Sequence, residues 1–157
     1  MKKIWYSWEE MRRDVNVLAR TIVLDKFDPQ VIVGVSRGGL TPGVMLSHWF
    51  HKPFKPVKAA LRDFKAWEDY LPRPSDERVL IVDDVCDSGE TFQRMSSYIK
   101  GPRKNQPIES PVDVRFASLW WNNEIEFEPH YYVQECAKDS ENIWINFCWE
   151  SWWNAPV

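Results

Sequence analysis

A chain of 157 residues suits a single domain, 1–157, that buries roughly two thirds of the surface its unfolded form exposes, so its core needs no disulfide or metal staple. A formal net charge of −3 and a pI near 5.6 exclude a surface given over to gripping nucleic acid and leave small-molecule chemistry as the expectation. The three cysteines form no Cys-x-x-Cys pair, MKKIWYSWEE lacks the apolar run of a signal peptide, and nowhere do about 18 apolar residues follow one another. The expected setting is reducing and cytoplasmic, without nucleic-acid or membrane partners.

Ser7 followed by Glu10 has the spacing of a capping box, and Met11, Val15, Leu18 and Ile22 recur at helical intervals, which predicts an amphipathic helix ending near Asp25. Val31–Val35 is an apolar, β-branched run that reads as a buried strand. Ser36-Arg37-Gly38-Gly39 interrupts it, and Pro42 then sits early in a second helix that ends before Pro53. Pro56–Leu61 is the next strand candidate. Arg62–Pro74, charged, aromatic and without a clean period, reads as a mobile lid.

Val79–Val85 is the strongest strand signal in the chain, and Ser88-Gly89 leads into a helix from about Glu90 to Lys100 with Phe92, Met95 and Ile99 on one side. Gly101–Pro111 is a polar connection, followed by strand candidates at Val112–Trp121 and His130–Cys136. Strands separated by helices predict an α/β fold with a central parallel sheet flanked by helices on both faces, in which ligands bind at the carboxyl ends of the strands. Most of the ten tryptophans are expected to pack, with one or two free to stack on a flat ligand.

The segment VLIVDDVCDSGET, Val79–Thr91, delivers Asp83 and Asp84 at the end of a buried strand, then Asp87, then Ser88-Gly89-Glu90-Thr91 at a helix start. A helix N-terminus offers unpaired N–H groups and partial positive charge, Gly89 permits close approach, and Ser88 and Thr91 add hydroxyls, a combination suited to a phosphomonoester. Glu90 puts a negative charge in that loop, tolerable if its side chain turns to solvent. Paired carboxylates beside a phosphate call for hydroxyls or a cation, so Asp83 and Asp84 suggest a ribose diol and hydrated Mg2+. An arginine held next to glycine, Arg37-Gly38, offers several N–H donors to a polyphosphate.

Each piece alone has a plainer reading: a solvated Asp-Asp turn, a tight Gly-Gly connection, a packing tryptophan. Their succession is what carries the chemistry. His48, His51 and His130 lack ligand spacing, and Cys86 reads as a small filler inside the loop.

Val79–Thr91 resembles the signature of type I phosphoribosyltransferases, in which an apolar strand, two acidic residues and a loop ending in Thr/Ser-Gly-x-Thr bind phosphoribosyl pyrophosphate (PRPP). SRGGLTPG, Ser36–Gly43, is similar to the pyrophosphate loop of the family's xanthine-guanine branch, which gives Arg37 and Gly38 that role by resemblance. Trp144-Ile145-Asn146-Phe147-Cys148-Trp149-Glu150 is similar in spacing to the base-binding hood of that branch, with Trp144 stacking on the purine and backbone groups near Ile145 and Glu150 reading its edge. The resemblance runs from about Val31 to Glu150 and implies a Rossmann-like domain with a small hood at about 138–157, Mg2+ held by Asp83 and Asp84, and a dimer or tetramer. It also implies PRPP bound by Arg37, Gly38, Asp83, Asp84 and Asp87 to Thr91, with Asp87 as the acid or base facing the purine ring nitrogen.

In purine members a lysine near the end of the fourth core strand bonds the 6-oxo group. Here Leu119–Asn123 stands at that place, and Asn122, Asn123 or a displaced Lys138 is the candidate to substitute. The expected reaction transfers phosphoribosyl to guanine, xanthine or hypoxanthine in purine salvage. The alternatives are a nucleotide-sensing or RNA-binding regulator on the same fold and a transferase for another acceptor.

Overall fold

The computed structural model describes residues 1–58, 78–100 and 112–156; the lid expected at 62–74 and the connection 101–111 lie outside them. Helix α1 (Trp8–Leu24) begins as its sequence dictates. Glu10 N donates to Ser7 Oγ at 3.2 Å while Ser7 N donates to Glu10 Oε2 at 2.8 Å, the two halves of a capping box. Its stripe of Met11, Val15, Leu18 and Ile22 is buried.

Five parallel strands follow in the main sheet: β2 (Val31–Ser36), β3 (Phe54–Lys58), β4 (Arg78–Cys86), β5 (Asp113–Asn122) and β6 (Tyr131–Cys136), in the order β3-β2-β4-β5-β6. Along β4 the side chains alternate between two cores. Leu80 and Val82 join the helices α1 and α2 (Leu40–Phe50) on one face. Val79 and Ile81 join Phe92 and Met95 of α3 (Glu90–Lys100) on the other. A strand covered on both faces has no polar side to show, which is why VLIV reads as a continuous apolar run.

Strand β3 begins at Phe54, two residues before the expected Pro56, and it is an edge strand, where a proline lacking its N–H is tolerated. Phe54 also explains two glycines: a Cβ at Gly34 or Gly43 would come within 2.6 or 2.7 Å of its ring.

The sequence reading missed one strand and left another as an unassigned hood segment. β1 (Lys2–Tyr6) and β7 (Ile143–Phe147) pair in parallel as a separate two-stranded ribbon, with Ile4 opposite Ile145 and Tyr6 opposite Phe147. Ile143, Ile145 and Phe147 face inward while Trp144 is exposed.

The hydrogen bonds from Ser7 hold the Glu10 carboxyl below its usual range. A carboxylate lowered on folding stabilises above its unfolded value of about 4.3, and that gain is lost as pH falls through the lowered native value. Ser7→Ala is therefore expected to cost about 1 kcal/mol at neutral pH and less in acid. Urea unfolding at the two pH values measures this, and an equal cost at both would show that the carboxylate charge plays no part.

Candidate active site

Strand β2 feeds α2 on one face of the sheet and its neighbour β4 feeds α3 on the other, so the two connections diverge and leave a crevice at the carboxyl ends of β2 and β4. The two sequence motifs meet there. The β2–α2 turn presses directly onto β4: a Cβ on Gly39 would lie 2.7 Å from Val35 N and overlap Val82 O, and one on Gly38 would overlap the Asp84 carboxylate. Arg37 follows a cis peptide after Ser36.

Asp83 and Asp84 stand side by side at the end of β4. Asp84 N donates to Asp83 Oδ1 at 2.9 Å and Val85 N donates to Asp84 Oδ1 at 2.7 Å. Burial pushes the Asp83 carboxyl well above its usual range and the neighbouring Asp84 charge pushes it further; burial also raises Asp84. Among the described residues neither is in an ion pair with a lysine, arginine or histidine. Two hard oxygen donors whose charge no described residue balances suit a divalent cation completed by water and ligand oxygens, although no cluster of three or more metal-ligating side chains occurs among the described residues.

A cavity of about 60 Å³ follows, lined among others by Asp83, Asp87, Ser88, Gly89 and Thr91. Glu90 N donates to Ser88 Oγ at 3.3 Å. Gly89 is required twice over, because its φ is +77° and a Cβ there would come 2.6 Å from Phe127 Cβ. Glu90 is exposed and pairs with Arg94 at 3.8 Å, outside the cavity. The buried Cys86 thiol is pushed up to about 12, chiefly by burial, which makes it an inert filler.

The hood closes the other side. A cavity of about 100 Å³ is lined by Asp84 and Val85 from β4 and by Lys138, Trp144, Ile145, Phe147 and Glu150. Glu150 N donates to Phe147 O at 2.8 Å and its carboxylate accepts from Phe147 N at 3.3 Å, which fixes the turn after β7. Trp144 is 47 % exposed, and the Lys138 ammonium lies 5.8 Å from its ring centroid. A larger cavity of about 790 Å³ connects Arg37 and Gly38 with Trp144 and Glu150. The proposed pyrophosphate and base residues thus share one space.

Lys138 and Asn122 matter more than the sequence indicated. The Lys138 ammonium is ion-paired with the Asp87 carboxylate. Asn122 is fully buried with both ends committed: its amide donates to Asp87 O at 3.3 Å and Asp139 Oδ2 at 3.2 Å, and its carbonyl accepts from Lys138 N at 3.2 Å and Glu124 N at 3.3 Å. Asn122 therefore holds the loop that delivers Lys138, whereas Asn123 lies at the surface, donating to Glu135 at 3.4 Å. The available signal was that Lys138 is the only lysine after Lys104. His130 accepts from Phe116 N at 3.0 Å, a structural role.

Because native Asp83 binds its proton more tightly than the unfolded chain does, its ionisation costs stability at every pH above the unfolded value of about 3.9. Asp83→Asn is accordingly expected to raise the urea midpoint at neutral pH without divalent cations, with the gain vanishing in acid. A lower midpoint at neutral pH would contradict the charge account.

A family model described as "Phosphoribosyl transferase domain" matches residues 3–155. The xanthine-guanine phosphoribosyltransferase of Gluconobacter oxydans is 27% identical over 96% of this chain and 84% of its own length. A purine phosphoribosyltransferase from Pyrococcus horikoshii is 29% identical and superposes with a TM-score of 0.72 over 100% of this chain and 97% of that one. The xanthine-guanine-hypoxanthine phosphoribosyltransferase of Helicobacter pylori, 19% identical, shares the fold with a TM-score of 0.76 over 95% and 94% of the two chains. Matched across nearly its whole length, the chain belongs to the phosphoribosyltransferase family.

Proposed function

We propose that this phosphoribosyltransferase transfers the 5-phosphoribosyl group of PRPP to a 6-oxopurine, namely guanine, xanthine or hypoxanthine, releasing pyrophosphate and a nucleoside 5′-monophosphate for purine salvage. The observation that carries this reading is the Lys138 ammonium paired with the Asp87 carboxylate at the acceptor pocket. A ligand that replaces this pair must present a hydrogen-bond acceptor and a donor side by side, as the carbonyl and adjacent ring N–H of a 6-oxopurine do. The 6-amino group of adenine would turn a donor toward the ammonium.

In this reading the 5′-phosphate sits at Ser88, Gly89 and Thr91 under the N-terminus of α3. The ribose hydroxyls face Asp83 and Asp84, and the pyrophosphate meets Arg37 and the Gly38 backbone. The acid pair would hold Mg2+ together with water and substrate oxygens; when bound, the ion supplies neutralising charge for the pyrophosphate. Trp144 stacks on the base, while Ile145 and Glu150 border its edge.

The bond from the anomeric carbon to the pyrophosphate oxygen breaks as the base nitrogen attacks that carbon, through an oxocarbenium-like transition state without a covalent enzyme intermediate. The ring-nitrogen proton passes to Asp87, which Lys138 can release once it engages the carbonyl. Catalysis comes from holding the reactants in line and from Arg37 and backbone donors aimed at the leaving charge. Three buried free thiols suit a reducing, cytoplasmic setting.

The test is pyrophosphate release from PRPP and magnesium with guanine, xanthine, hypoxanthine, adenine and uracil offered separately. Release with at least one 6-oxopurine and none with uracil is expected, and Lys138→Met should raise the KM for that base about tenfold or more and narrow its preference over adenine. Silence with all five despite tight PRPP binding would point instead to a nucleotide-sensing regulator.

A further inference from the structure

The acceptor pocket has walls from two bodies. Asp84 and Val85 belong to the main sheet, whereas Ile145 and Phe147 belong to the β1–β7 ribbon, which shares no strand pairing with that sheet. The width of the pocket therefore depends on how the ribbon is seated.

The β7 end of the ribbon is tied through the 138–142 loop, where Ile143 N donates to Lys138 O at 2.9 Å; the β1 end is tied by a buried carboxylate. Asp14, only 1 % exposed on α1, accepts from Tyr6 Oη at 2.7 Å and from Gln134 Nε2 at 3.0 Å on one oxygen, and from Arg13 Nε at 2.9 Å on the other. It thus joins the last residue of β1 to the helix and to β6, the edge strand of the main sheet. The Tyr6 ring meets Phe147 edge-on at 5.7 Å and Trp120 of β5 at 5.8 Å. Phe147 stacks in turn on Trp149 at 4.9 Å, the residue before Glu150. Apolar contacts alone tolerate sliding, but three hydrogen bonds converging on one buried carboxylate define a position.

We propose that Tyr6 and Asp14 are positioning residues that seat the hood and so set the geometry of the acceptor pocket, while the cavity of the Asp83–Thr91 loop, which no ribbon residue lines, keeps its shape. The consequence for turnover rests on the purine-transfer reading; the seating itself does not. An acceptor held between two bodies loses binding contacts on one side when either shifts, whereas the PRPP groups are carried by β2, β4 and the helices these strands feed.

The test uses Tyr6→Phe, which keeps the ring contacts and removes the hydroxyl. Its control is Tyr131→Phe, which removes the hydroxyl of a tyrosine as buried as Tyr6, bound to Asp25 at 2.6 Å at the amino end of the sheet. Amide hydrogen exchange across residues 143–147 is expected to quicken about tenfold in Tyr6→Phe, with β4 unchanged. The KM for the purine is expected to rise about tenfold or more, while kcat and the KM for PRPP stay within about twofold. Tyr131→Phe should show neither effect. Unchanged exchange at 143–147, or equal rises in both KM values, would overturn the proposal. A wild-type enzyme that turns over no purine would sink the functional reading, and the exchange measurement would still decide the anchor.

Discussion

Two adjacent carboxylates near the carboxyl end of β4, the central strand of the main sheet, are the constraint from which the rest of the molecule follows. Burial opposes the charge on Asp83 and Asp84, with the Asp84 charge adding to it at Asp83 and the Glu150 charge at Asp84, and neither forms an ion pair among the described residues. A fold selected for stability alone would place neutral side chains there. The pair persists where two connections leave the sheet on opposite faces, the position at which an open parallel sheet offers a ligand its best access. Gly38 and Gly39 complete the arrangement, since any side chain at either would displace the carboxylate or the strand.

Beyond that point the protein divides its work between a rigid sheet and a small hood. The sheet carries Arg37, the acid pair and the Ser88–Thr91 loop, all fixed by parallel strands and the helices they feed. The hood carries Trp144, Ile145 and Glu150, and among the described residues its ribbon shares no strand pairing with the sheet. Lys138 bridges the two: Asn122 of β5 fixes its backbone, its ammonium reaches Asp87 and its position lies over Trp144. The loop after β6 and the loop after β4 are thereby coupled through one ion pair.

The parallel core was legible in the sequence because strands buried on both faces leave unbroken apolar runs, as at Val31–Val35 and Val79–Val82, and because Ser7, Pro42 and Ser88-Gly89 announce helix starts. The two glycine turns at the carboxyl edge of the sheet were legible too, since their residues are consecutive. The ribbon was not. Each of its strands has five residues, Lys2 and Lys3 obscure the alternation in the first, and their pairing spans nearly the whole chain, so no local pattern records it. Lys138 stood in the sequence only as one of three candidates beside Asn122 and Asn123, because its loop is remote from β5 and only the commitments of Asn122 bring the two together. The network on Asp14 is equally silent in sequence, because an aspartate on a helix reads as solvated until Tyr6 and Gln134 are brought to it.

The most direct test of the central claim is calorimetric titration of PRPP into the intact protein and into the Asp83→Asn, Asp84→Asn double variant, each with and without magnesium. The account predicts binding that depends on magnesium in the intact protein and is lost or weakened at least about a hundredfold in the variant. Equal affinity for PRPP in all four titrations would contradict it, and would mean that the buried acid pair serves something other than a cation-bound sugar phosphate.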